Sequence, residues 1–292
     1  MARAAQPNAV RSSPRAGAVF LVLAGIVSVQ LGAAIAKDLF DQVGPAGTVF
    51  LRVGLAAIAL LLIWRPALRG FGRRRAADVA MFGFVLAAMN FSFYLALDRI
   101  PLGIAVTLEF VGPLAVAIWG SRRRADLIWV ALAAGGIVLL SPSPGGSVSL
   151  LGAGFALLAG SFWGAYILLS ARVGRAMPGG GGLALAMAVG TVLLLPAGWA
   201  HRTELADWGV LASGLAIAAL SSAIPYSVEL EALRRLPRAT FGVMMSLEPA
   251  VAATVGFVIL GQDLAAREVV AIGLVVAASA GALRTAPAAA EV

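Results

Sequence analysis

Arg52, Asn90, Glu109 and Glu248 are charged or strongly hydrogen-bonding side chains embedded in long apolar stretches of the chain. A guanidinium is a fixed cation with a fork of donors, a carboxylate complements it, and an amide both donates and accepts. Arg52, Glu109 and Asn90 therefore have the parts needed to hold a zwitterion, with guanidinium to carboxylate, Glu109 to ammonium and Asn90 setting orientation. The alternative is an Arg52–Glu109 ion pair that only locks helices together, with the Arg52 stem snorkelling towards an interface. Glu248, directly before Pro249, has no partner evident in sequence. An ionised carboxyl is costly in hydrocarbon, so Glu248 and Glu109 are candidate proton carriers; the alternative for Glu248 is a permanently neutral group donating a hydrogen bond between helices. Pro113 and Pro249 each remove a helical hydrogen bond and are expected to kink their helices. Trp163 and Tyr166 are placed either in a cavity wall or in plain packing, and Gly160 with Gly164 allows close helix approach. Glu229 and Glu231 read as surface partners of Arg234 or Arg235. No catalytic or metal-binding constellation is seen: there is no cysteine, the single histidine, His201, falls between apolar runs, and no HExxH sequence, aspartate pair or serine–base arrangement occurs. An intramembrane enzyme is thereby disfavoured, and no cofactor is implied.

These groups need elements that can hold them at membrane depth. Hydrophobic residues make up 61% of the chain and charged ones 12%, with a mean hydropathy of +0.95, well outside the soluble range of about 45–50% apolar and roughly 25% charged. A spanning helix needs ~20 apolar residues. Runs meeting that demand lie near 17–36, 46–64, 78–97, 101–120, 125–141, 150–170, 181–200, 207–228, 237–260 and 267–284. They lack sustained alternation and exceed the ~9–11 residues of a barrel strand, so helices and not strands are the spanning unit. At 1.5 Å per residue, Arg52, Glu109 and Asn90 fall about 9, 12 and 10 Å below the outer boundary and so can share one layer.

The net charge of +8 comes from basic residues in short clusters between apolar runs. That pattern reads as topology beside a lipid bilayer and gives no nucleic-acid face. Taking the N-terminus as inside, the inner segments hold Arg3, Arg11, Arg15, Arg65, Arg69, Arg73, Arg74, Arg75, Arg122, Arg123, Arg124, Arg172, Arg175, Arg234, Arg235, Arg238 and Arg284. The outer ones hold only Lys37, Arg99, Arg202 and Arg267. Both termini are accordingly expected in the cytoplasm.

An internal repeat underlies the pattern. Leu97-Asp98-Arg99-Ile100-Pro101 has a counterpart in Leu233-Arg234-Arg235-Leu236-Pro237, and Pro113 has one in Pro249; both separations, 237 − 101 and 249 − 113, equal 136 residues. The fold expected is an all-α integral membrane protein of ten transmembrane helices, arranged as two inverted five-helix repeats. Its divisions are a disordered cytoplasmic tail (1–16), a first repeat (17–141), a turn-rich linker (142–149), a second repeat (150–284) and a cytoplasmic tail (285–292). Halves of odd span number enter the membrane from opposite sides, and two such halves can exchange conformations to move a central site between the faces. A channel does not need that symmetry.

The blocks FYLALDRIPLGIAVTLEFVGPLAVA (93–117), IPYSVELEALRRLPRATFGVMMSLEPAVAA (224–253) and FLRVGLAAIALLLIWRP (50–66) resemble EamA-type members of the drug/metabolite transporter superfamily, in particular the bacterial threonine/homoserine exporters. The resemblance runs over roughly 17–284. It implies proton-driven export of amino acids or similar small-molecule substrates across a bacterial inner membrane, with efflux of drugs or other solutes as the same-fold alternative. One departure is Leu260-Gly261-Gln262, where many relatives carry Leu-Gly-Glu. Any coupling role of that carboxylate is then absent or displaced here.

Overall fold

In hydrocarbon a backbone must satisfy its own hydrogen bonds, and a helix does so within one segment. The computed structural model describes residues 14–66, 72–119, 127–140, 148–177, 179–225, 228, 231–232 and 238–285, and among these there is no strand. The helices are α1 (Pro14–Asp38), α2 (Phe40–Trp64), α3 (Arg73–Leu97), α4 (Leu102–Glu109), α5 (Val111–Trp119), α6 (Leu127–Leu139) and α7 (Leu150–Ala176). They continue with α8 (Gly181–Leu193), α9 (Leu195–Ala200), α10 (Trp208–Ala218), α11 (Arg238–Met245), α12 (Glu248–Leu260) and α13 (Ala266–Thr285). Among the described residues, five stretches are long and apolar enough to cross a membrane: Gly17–Asp38, Phe40–Trp64, Arg73–Leu97, Leu150–Ala176 and Phe241–Leu260. Shorter apolar helices cover Leu102–Val116, Leu127–Leu139, Gly181–Leu193 and Trp208–Ala223. The expected basic connector at 233–237, the arginine cluster at 122–124, Glu229 and most of the expected linker lie outside the described residues.

Helix ends follow local chemistry. Asp207 caps α10, its carboxylate accepting from the Gly209 and Val210 amides at 2.7 and 3.1 Å, and Ser149 caps α7 by accepting from Gly152 N at 3.0 Å. Gly261 (φ 61°) ends α12 in the left-handed conformation, which glycine adopts without Cβ strain. The Gln262 amide then closes on the Gly256 carbonyl at 3.0 Å. This reversal sends the Gln262 side chain across to α4, where Oε1 accepts from Leu102 N at 2.9 Å and satisfies an amide that the first turn of α4 leaves open. Position 262, expected from sequence to mark a missing coupling group, thus joins two helices. Gln262→Ala is expected to cost about 1 kcal/mol and lower the melting temperature by a few degrees, while Gln262→Glu keeps the bridge. Unchanged melting of the alanine variant would show the bridge to be idle.

Among the described residues, the helical ladder is interrupted beside two prolines and at a π-turn. Pro113 cannot donate to the Glu109 carbonyl, and the helix breaks at Phe110 between α4 and α5. Pro249 likewise cannot bond the Met245 carbonyl, and the chain breaks at Ser246-Leu247 between α11 and α12. After α10 the helix widens into a π-turn over Ala219–Ala223, and Pro225, four residues beyond Ser221, leaves the Ser221 carbonyl without its helical donor.

Helices approach through small residues, the usual device where lipid is as apolar as leucine. A Cβ on Gly83 would meet the Ala186 carbonyl at 2.6 Å, and one on Gly103 would meet Ala253 Cα at 2.6 Å. At the α4–α5 break, Gly112 lies against the Gly160 carbonyl of α7, and Gly160 lies against the Glu109 carbonyl. Arg172 pairs with Asp78 at 2.8 Å, tying α7 to α3. Phe20, Leu62, Ile63, Leu150, Trp208 and Val258 are exposed on the outside, the surface a bilayer would cover.

Candidate functional site

A cavity of about 520 Å³ opens between the helices, lined by residues of α1, α2, α3, α4, α5, α7, the π-turn, α11, α12 and α13. Arg52, Asn90, Glu109, Trp163, Tyr166, Glu248 and Pro113 all line it. Pro249 does not; it is buried behind Glu248 in the first turn of α12.

Arg52 projects from α2. Its Nη2 donates to the Ser221 carbonyl at 3.3 Å, the oxygen that Pro225 deprives of a helical donor. Its Nη1 stands 3.5 Å from the hydroxyl of fully buried Tyr94, with the guanidinium carbon 5.6 Å from that ring's centroid. Both polar contacts are long for hydrogen bonds, and they are not the only interactions that Arg52 makes. Glu109, the last residue of α4, is 9% exposed and lines the same cavity as Arg52. Among the described residues, no ion pair joins the two. The helix-locking salt bridge that the sequence leaves open is therefore not formed.

Asn90 donates its amide nitrogen to the Leu86 carbonyl of its own helix at 2.8 Å. That contact fixes the rotamer and leaves Oδ1 as the group able to receive a donor. Trp163 meets Phe110 edge to face at 5.2 Å, and Tyr166 leans on Phe82 at 5.2 Å. The two aromatics form a stiff wall on α7. Glu248, 6% exposed, opens α12, where the unpaired amides of a helix N-terminus favour a carboxylate. The sequence showed no partner for it; in the fold it has one.

Sequence reasoning passed over Gln30, Ser221 and Ser279, which also line the cavity. Gln30 had a usable signal, being the only glutamine within the apolar runs. The serines had none, because serine is common in packed spanning helices.

Comparison with known proteins identifies the family. The model of the EamA-like transporter family matches residues 150–284. The threonine/homoserine exporter RhtA of Escherichia coli (strain K12) is 40% identical over 282 residues, covering 96% of this chain and 95% of its own. The chain belongs to the EamA-like transporter family. The RhtA of Salmonella typhimurium (strain LT2) is similar to the same degree and over the same shares. A solved crystal structure with 20% identity matches the fold at a TM-score of 0.56, over 94% of this chain and 99% of that one. In this EamA-like transporter Arg52, Glu109 and Glu248 line one cavity.

Proposed function

We propose that this transporter exports small amino acids, threonine and homoserine foremost, from the cytoplasm of a bacterium across its inner membrane. The observation that carries the reading is that Arg52 and Glu109 line one cavity without closing into an ion pair with each other. Opposite charges held apart at a buried cavity suit a zwitterion, whose carboxylate and ammonium would bridge them. The 40% identity to exporters named for threonine and homoserine supports the same substrate class. The test is amino-acid release from cells with and without overexpression of the chain. Extra threonine and homoserine in the medium is the expected result, and unchanged release of both would remove the assignment. Efflux of aromatic or drug-like solutes is the second reading, favoured by the Phe93, Phe110 and Trp163 portion of the wall.

Ten spans in two inverted halves remain the architecture we favour. In support, Pro113 and Pro249, separated by 136 residues, each sit just after a helix break. A half-helix joint lacks the hydrogen bond that bending would otherwise break, which suits alternating access with proton exchange on Glu248 or Glu109. Both termini are placed in the cytoplasm on the strength of the basic residues. Because the chain is free of cysteine, single cysteines report topology directly. Those at Ser143 and Asp263 are expected to react with a membrane-impermeant reagent on intact cells, and one at Ala76 is expected to stay unlabelled until the cells are opened. Labelling at Ala76 from outside would invert the topology.

A further inference from the structure

We infer that Gln30 reads the side-chain hydroxyl of the substrate, with Ser279 and Ser221 completing the polar subsite, and so sets a preference for hydroxylated over apolar amino acids. The inference rests on the amino-acid reading and adds the part of the site that distinguishes one amino acid from another.

Gln30 on α1 is 2% exposed and lines the cavity, and its Oε1 has no hydrogen-bond partner among the described residues. Ser279 on α13, 2% exposed, and Ser221 in the π-turn, 5% exposed, also line the cavity with hydroxyls that have no hydrogen-bond partner among the described residues. Ser222, also buried with an unpartnered hydroxyl, does not line the cavity and takes no part. Buried polar atoms are nearly always paired, so three orphans on separate elements around one cavity point to a ligand that brings its own donor and acceptor.

The chemistry of the three groups narrows that ligand. An amide oxygen only accepts, so the ligand must offer it an N–H or O–H, while a serine hydroxyl can donate in return. A substrate ammonium has better places to go, because Glu109 and Glu248 face the same cavity and a carboxylate outcompetes a neutral oxygen for a cation. The substrate carboxylate goes to Arg52. An alcohol O–H is what remains for Gln30, and its oxygen can accept from serine. Around these groups the lining is apolar, including Val29, Ala33 and Val106. Valine, which exchanges the hydroxyl of threonine for a methyl, would fill the space and leave the orphans unpaired. A site built to hydrogen-bond a hydroxyl rejects such an analogue far more strongly than a merely apolar pocket does.

The test uses the full-length protein in liposomes, measuring exchange of labelled threonine against internal threonine or internal valine. Wild type is expected to favour threonine by at least about tenfold. Gln30→Leu, close in size but unable to accept, is expected to shrink that ratio to within about threefold by slowing threonine and sparing valine. Ser279→Ala should move it the same way to a smaller extent. Should the leucine variant fail to insert, Gln30→Met and Ser279→Ala carry the same comparison. A wild-type ratio kept in all these variants overturns the inference. Equal exchange of threonine and valine by wild type overturns the hydroxyl subsite and leaves the amino-acid reading standing. Exchange of neither overturns that reading and this inference with it.

Discussion

Glu109→Gln is expected to reduce transport in vesicles by about a hundredfold or more while leaving the protein folded in the membrane. Removing one partner of a buried charge interaction commonly costs about 2–5 kcal/mol of binding, and about 2.7 kcal/mol is a hundredfold. The substitution keeps the shape of the side chain and deletes only its charge, so a loss of transport isolates electrostatics from packing. The structure makes the second half of the expectation specific. Glu109 is not salt-bridged to Arg52, so its neutralisation breaks no helix-locking pair, and the melting temperature should stay within a few degrees of wild type. Threonine transport at wild-type rate in this variant would show that Glu109 does not hold the ammonium. A collapse of folded protein that is partly rescued by a second change at Arg52 would restore the structural-pair reading.

Glu248→Gln is the second large effect. A carrier coupled to protons must bind and release one in each cycle, so a permanently neutral group at the coupling position stops uphill movement while still allowing exchange of substrate down its gradient. The variant is expected to lose essentially all transport driven by a pH gradient in reconstituted vesicles and to keep a measurable fraction of counterflow. The position of Glu248 fits this role: it opens α12 beyond the Ser246-Leu247 break and lines the cavity, so that bending at the joint would change its surroundings. Undiminished pH-driven transport by the glutamine variant would reduce Glu248 to a packing group and leave Glu109 as the remaining candidate. Loss of counterflow along with coupling would instead make Glu248 part of the substrate site.

Much of this was legible in the amino-acid order. Helix positions followed from apolar runs because the lipid environment forces backbone bonds to close within a segment. Arg52, Asn90, Glu109 and Glu248 were legible because each is expensive where it sits. The breaks beside Pro113 and Pro249 follow from the missing amide hydrogen of proline. What could not be read were contacts made across the bundle. Nothing near Arg52 in sequence names Tyr94 or the Ser221 carbonyl as its neighbours, since one is 42 and the other 169 residues away. Gln262 was read by what it lacks, a carboxylate, whereas its place after a left-handed glycine aims it at the first amide of α4. No partner of Glu248 was evident in sequence because partners on other helices are invisible to spacing rules.

The glycine contact beside Glu109 bears on how relatives of this chain can diverge. Gly112 abuts the Gly160 backbone and Gly160 abuts the Glu109 backbone, so a larger residue at either collides with main chain, and main chain cannot step aside as the end of a flexible side chain can. These two positions are therefore closed to the gradual drift by which a pocket is retuned. New substrate preferences would have to arise from other cavity residues, such as Met89, Val106 and Ile167, whose side chains can change in length without striking main chain.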